Sequence, residues 1–321
     1  MNHHGFLRVA AASPELRLAD CPFNADRTLA LMKQAEDRGV NLVVFPEMGL
    51  TGYTCHDLFH LESLWRAAED ALDRVVEIGA NVYRGVAVVG LPVVVDGQLF
   101  NAAAVIHAGK ILGVVPKTYL PNYKEFYDAR YFCPADNARF ASATVAGQDV
   151  RFGTNLVFSC GNYPGFTLGV EICEDLWMPV PPSSVAALMG ASVLANLSAS
   201  NEVIGKSGYR RQLVASQSAR CLGGYVYASC GVGESTTDLV FGGHCLVAEN
   251  GTVLAESERF RRGGHLLVAD LDLDRLTHDR IQTGSFHDAA RVAGSDGTNG
   301  AGSTARASRG SRGDRSRSKL T

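Results

Sequence analysis

Residues 168–177 read Leu168-Gly169-Val170-Glu171-Ile172-Cys173-Glu174-Asp175-Leu176-Trp177. The first half is an apolar, β-branched run of strand type, and it stops at a cysteine followed by two acids. That cysteine has two readings. A buried free cysteine is most often a small hydrophobe. An elbow after the strand would instead expose the sulfur and aim the next backbone N–H groups at a reacting oxygen.

Two more segments place a charged group just beyond an apolar run. Glu47 follows Leu42-Val43-Val44-Phe45-Pro46 and precedes Met48-Gly49-Leu50-Thr51-Gly52-Tyr53. A carboxylate at a strand's end is partly desolvated, which raises its pKa and makes it a better base. The plain alternative is a surface glutamate opening a loop. Lys117 lies in Val115-Pro116-Lys117-Thr118-Tyr119-Leu120-Pro121, either as a solvated cation or as a fixed positive charge inside a pocket.

Around these segments, short apolar runs alternate with amphipathic ones. Strands are expected at 6–11, 41–45, 84–95, 101–107, 111–115, 155–159, 166–172, 192–196, 225–230, 240–248 and 264–270. A helix is expected between the first two, with Leu29, Met32 and Ala35 on one face, Asn24 as cap and Gly39 as stop. Further helices are expected near 61–79, 181–189 and 205–221. Asp96-Gly97, Ala108-Gly109 and Asn250-Gly251 supply turn chemistry. Hairpins beside strand–helix–strand units imply mixed sheets. Two such sheets face to face, with helices outside, would bury this many apolar strands.

The bulk numbers suit one large soluble domain: 321 residues, 46% hydrophobic, 20% charged, net charge -3. That charge implies no polyanion partner, and no specific nucleic-acid binding is expected. Eight scattered cysteines, with no C-x-x-C, point to a reducing compartment. The first twenty residues lack an export signal, and there is no apolar run of 18 residues, so a cytoplasmic protein without membrane contact is expected. His56 and His60 are four apart but lie outside any H-E-x-x-H, and no metal is expected. No G-x-G-x-x-G follows a strand, so no nucleotide site is expected.

In order, Glu47, Lys117 and Cys173 resemble the catalytic set of the nitrilase (carbon–nitrogen hydrolase) superfamily. The flanking words FPEMGLTGYTCHDLF, PKTYLPNYKEFYDARYF, GVEICEDLW, LANLSAS and ESTTDLVFGGHCLVAENG are similar to the glutaminase domains of glutamine-dependent NAD synthetases. The resemblance covers residues 5–290. It implies a four-layer α-β-β-α nitrilase-type sandwich with two mixed sheets, in which the three residues meet. Cys173 would attack an amide carbon, Glu47 would carry the proton, and Lys117 with the Glu174 N–H would hold the oxyanion. Lys117 would also lower the thiol pKa from its usual value of about 8.5. Tyr123, Glu174 and Ser200 match positions that hold glutamine, and Tyr53 is expected to line the pocket. The amidase step needs no cofactor. A homo-oligomer is implied as well.

The resemblance has departures. Asp128 stands where related domains often carry a glutamate that supports the lysine, and its shorter side chain is expected to reach less well. Gly242 replaces a commonly seen aspartate. From Gly294 to Thr321 there is no aromatic residue, and six basic residues stand against two acids. Such a Gly/Ser/Arg stretch is expected to be a disordered tail. The Ser-Gly-Gly-x-Asp-Ser loop of the synthetase half does not occur. ATP and deamido-NAD would belong to that half. The expectation is therefore the glutaminase half of a glutamine-dependent NAD synthetase, truncated or frameshifted so that the synthetase half is absent, with a separate synthetase as a candidate recipient of its ammonia. The alternatives are a free-standing amidase or nitrilase for another small C–N substrate, or an inactive truncated remnant.

Overall fold

The computed structural model describes residues 4–161, 163–300 and 317–320. The chain opens with strand β1 (Phe6–Ser13), helix α1 (Cys21–Asp37) and strand β2 (Leu42–Val44). A 3-10 segment over Tyr53–His60 leads into α2 (Glu62–Val82). Strands β3 (Val86–Val95), β4 (Gln98–His107) and β5 (Lys110–Pro116) follow as a meander. The single turn α3 (Asp128–Tyr131) precedes the hairpin β6 (Ser142–Val145) and β7 (Gln148–Arg151).

The second half alternates strands and helices: β8 (Val157–Cys160), β9 (Thr167–Ile172), α4 (Pro182–Leu188), β10 (Val193–Ser198), α5 (Lys206–Arg220) and β11 (Gly224–Ser229). Strands β12 (Leu246–Glu249), β13 (Thr252–Glu256) and β14 (His265–Asp272) come next. Helices α6 (Leu273–Gln282) and α7 (Gly284–Gly300), then strand β15 (Arg317–Leu320), end the described chain.

The strands form two large mixed sheets, ordered β14-β1-β2-β3-β4-β5 and β13-β12-β11-β10-β9-β8-β15. β1, β2 and β3 run parallel, while β4, β5 and β14 join antiparallel. In the second sheet β9, β10 and β11 are the parallel centre. Alternation along the strands builds the layers. Val9 and Ala11 of β1 pack with Val170 and Ala195 between the sheets, while Ala10 and Ala12 face Met32 of α1 and Leu72 of α2. Leu194, Tyr225 and Tyr227 face Val214 of α5 on the far side. Two sheets with helices on both outer faces make the expected α-β-β-α sandwich.

Several boundaries differ from the sequence reading, each for a local reason. Helix α1 is capped by Asp20, whose side chain accepts from the Phe23 N–H. Asn24 is instead buried, and its amide donates to the carbonyls of Arg17 and Leu50. Within 240–248 only the end forms a ladder strand; Phe241 makes an isolated bridge to Asn201. The β6–β7 hairpin was not expected, because its strands carry little apolar alternation. The disordered tail expected over 294–321 falls mostly on 301–316, which lie outside the described residues. Among the described residues no helix is long and apolar enough to cross a membrane.

Candidate active site

Four strand ends converge on one buried spot. Glu47 lies just beyond β2, Lys117 beyond β5, Cys173 beyond β9, and Ala199 and Ser200 beyond β10. Glu47 is fully buried, Lys117 is 1% exposed and Cys173 is 6% exposed. The Lys117 ammonium donates to Glu47 Oε1 at 2.6 Å and to Asp128 Oδ2 at 2.7 Å. Asn101 Nδ2 donates to the same Glu47 Oε1 at 2.5 Å. Glu47 Oε2 accepts the backbone N–H of Ala199 at 2.8 Å. Glu47 and Lys117 both act electrostatically on the Cys173 thiol.

The backbone is bent to achieve this. Cys173 has φ 46°, in the left-handed region that a non-glycine residue seldom adopts, and so does Met48 at φ 52°. The turn after Glu47 presses against β3. A Cβ on Gly90 would stand 2.6 Å from both Met48 N and Pro46 O, so only glycine admits that approach. Asp175 ties the elbow to the lysine loop, accepting from the N–H groups of Ile172 at 3.0 Å and Tyr119 at 2.9 Å.

Lys117 lowers the thiol pKa as expected, but larger effects oppose it. Burial pushes the Cys173 thiol well above its ordinary range, and the Glu47 carboxylate pushes it further; Lys117 lowers it without reversing the balance. Burial likewise raises Glu47, against the opposing pull of Lys117. Burial alone would lower Lys117, but Asp128 and Glu47 hold its pKa well above the ordinary value. Burial therefore favours the neutral thiol at Cys173, while Asp128 and Glu47 favour the charged form of Lys117.

The Carbon-nitrogen hydrolase family model matches residues 8–281. This chain belongs to the carbon-nitrogen hydrolase family. It is 48% identical over 288 residues to a glutamine-dependent NAD(+) synthetase of Mycobacterium tuberculosis, covering 90% of this chain and 42% of that protein. The chain thus spans less than half the length of the curated relatives it matches. A glutamine-dependent NAD(+) synthetase from Cytophaga hutchinsonii superposes with TM-score 0.72 at 27% identity, over 83% of this chain and 43% of that one. A mutant amidase from Nesterenkonia sp. AN1, carrying the Michael adduct of acrylamide at its active-site cysteine, superposes with TM-score 0.66. It is 20% identical, over 88% of this chain and 99% of that one, and shares the fold.

Around Glu47, Lys117 and Cys173, the side chains of Tyr123 and Glu174 meet: the Tyr123 hydroxyl donates to Glu174 Oε1 at 2.8 Å. With Thr118, Pro121 and Met178 they line a depression of about 620 Å³. Burial raises the pKa of Glu174, and the Tyr123 bond works against that. Tyr53 points its hydroxyl at Asp128 Oδ1, 2.6 Å away, so it braces the lysine's second carboxylate. Ser200 is buried, and its Oγ accepts from Arg210 Nη2 at 3.1 Å.

The Asp128 expectation fails: the shorter acid reaches Lys117 at 2.7 Å because α3 carries it in close. The Gly242 departure has a physical counterpart. A Cβ there would lie 2.8 Å from Glu202 Oε1, and Glu202 pairs with the buried Arg210 at 2.7 Å. Glu202 fills the space that an aspartate at 242 would claim.

Sequence reasoning missed Asn101 and Lys206. The Lys206 ammonium donates to Asn201 Oδ1 and sits 5.1 Å from the Trp177 ring and 5.4 Å from that of Phe126. Burial lowers its pKa, while the Glu125 and Glu174 carboxylates act against that. A signal was present: Lys206 opens α5, where the helix dipole disfavours a cation. Among the described residues no cluster of three or more His, Cys, Asp or Glu could hold a metal ion.

Proposed function

We propose that this carbon-nitrogen hydrolase releases ammonia from the side-chain amide of glutamine through a thioester on Cys173. The observation that carries the reading is the fully buried Glu47–Lys117 pair at 2.6 Å, set beside a strained elbow that presents Cys173. Glu47 takes the thiol proton as Sγ attacks the amide carbon, so nucleophile and charge form together. Lys117 and the Glu174 N–H hold the oxyanion; one such donor is typically worth roughly 3–4 kcal/mol. The C–N bond then breaks, Glu47 returns the proton to the departing nitrogen, and ammonia leaves. Water enters, gives a proton to Glu47 and attacks the thioester; the proton goes back to the sulfur as glutamate departs.

Substrate recognition follows from charge. Glu174 with Tyr123 suits the α-ammonium group, and Lys206 suits the α-carboxylate. Ser200 and Tyr53 complete the polar wall. No cofactor enters this step. The ammonia would feed an ATP-dependent amidation of deamido-NAD by a separate synthetase, in keeping with the name of the relatives. Eight free thiols suit a reducing cytoplasm. Exposed Val185 and Tyr209, on α4 and α5, offer an apolar face for a homo-oligomer.

A panel of primary amides and nitriles with ammonia as readout tests the reading. Glutamine should lead, and Cys173→Ala should abolish release. A nitrile or short aliphatic amide turning over faster than glutamine would replace the substrate. Unchanged release in Cys173→Ala would remove the thiol mechanism.

A further inference from the structure

Glu47 presents two unequal oxygens. Oε1 is crowded, accepting from the Lys117 ammonium at 2.6 Å and from Asn101 Nδ2 at 2.5 Å. Oε2 accepts the Ala199 N–H at 2.8 Å and no other donor among the described residues. Asn101 is 1% exposed on β4 and acts at two points. Its amide holds the Glu47 side chain, and its carbonyl accepts the Lys117 backbone N–H at 2.8 Å. Asn101, Lys117 and Glu47 thus close a ring across β4, β5 and the turn after β2. The Asn101 Oδ1 accepts nothing among the described residues, so its orientation is set by the Glu47 side.

We propose that Asn101 is a positioning residue that locks Glu47 and Lys117 into one unit, leaving Oε2 of Glu47 as the oxygen that exchanges a proton with Cys173. This rests on the reading of Glu47 as the base. A carboxylate with two rotating oxygens would deliver its proton in many directions. Two donors on Oε1 fix the plane and dedicate the other oxygen. They also favour the charged form, since a hydrogen bond to a carboxylate lowers its proton affinity. The other groups facing Glu47 are Asp128 from α3, Tyr53 from the turn after β2, Cys173 from the elbow and Cys230 beyond β11, whose thiol donates to the Glu47 carbonyl. Of these, Asp128 raises the proton affinity of Glu47, while Asn101 and Lys117 lower it.

Removing the Asn101 donor should therefore move the acid limb of the kcat/KM profile to higher pH. Asn101→Ala should shift it by about one pH unit or more and lower kcat about tenfold to a hundredfold, the range for a lost hydrogen bond to a charged group. KM for glutamine should change less than about threefold, because Asn101 touches no substrate. Asn101→Asp keeps the shape but sets a second carboxyl against Glu47; it should shift the limb further, and it serves if the alanine variant does not fold. A second readout needs no substrate. The pH dependence of iodoacetamide alkylation of Cys173, followed on its own peptide by mass spectrometry, should move in the same direction. If the wild type releases no ammonia from glutamine, the glutaminase reading fails, and the alkylation profile still decides the role of Asn101. Folded variants with both profiles at the wild-type position would overturn it.

Discussion

Two buried ionic clusters lie at the candidate active site, and they differ in how they meet water. The Lys117–Glu47–Asp128 cluster is sealed, with side-chain exposures between 0% and 3%. The Arg210 cluster is graded. Arg210 itself is fully buried and Glu202 is 5% exposed, yet Glu202 also binds Arg259, which is 39% exposed. His244 continues the line from Arg210 to Glu256 and Arg211 at the surface. Desolvation strengthens every charge in the first cluster and leaves two carboxylates to share one ammonium. That surplus of negative charge is what a proton acceptor requires. In the second cluster solvent softens each charge with distance, so it serves to hold Ser200 and the start of α5 in place.

The comparison is broken most directly at the sealed cluster. Cys173→Ala or Glu47→Gln should lower ammonia release from glutamine by on the order of 10⁴ or more, without loss of the circular dichroism signal. Lys117→Met should be the largest stability change, roughly 3–5 kcal/mol in urea unfolding near pH 7.5, since it strands two buried carboxylates. Its pH dependence has a definite sign. Without the ammonium, the Glu47 pKa, already raised by burial, rises further above its unfolded value, so folding takes up a proton. The deficit should be full at neutral pH and shrink as acid protonates that carboxylate. A deficit that grows on acidification would contradict the ionised pair.

The graded cluster should give smaller numbers. Arg210→Ala should cost about 1.5–3 kcal/mol, because Glu202 keeps Arg259, and it should raise KM for glutamine more than it lowers kcat. Smallest of all, Glu256→Gln should stay within about 0.5 kcal/mol, since its partners are solvated or, for His244, held neutral by burial. An Arg210 variant that lost kcat as completely as a Cys173 variant would erase the distinction between the two clusters.

Much of this was legible in the sequence, because a reactive residue directly after an apolar strand is a pattern that one dimension preserves. Glu47, Lys117 and Cys173 each follow such a run, and the strands fell close to where the runs lie. Asn101 sits inside its run, in NAAAVIH, where an amide looks like an ordinary polar interruption until the partner sheet strands are placed. The reach of Asp128 could not be judged either, since it depends on how α3 approaches Lys117 and not on side-chain length alone. The net shift at Cys173 was hidden for a related reason. A nearby lysine suggests a lowered thiol pKa, but the depth of burial that outweighs it is a property of four converging strand ends. The cap of α1 went to Asp20 because Pro22, at the start of the helix, leaves the residues before it to supply the acceptor.

The contact between Gly242 and Glu202 bears on grafting. These positions lie forty residues apart in different motifs, yet they compete for one small volume beside one guanidinium. A chimera that imports an aspartate at 242 from a relative, while keeping this chain's Glu202, would crowd two acids into that volume. The two segments are a matched set, and they can be exchanged only together.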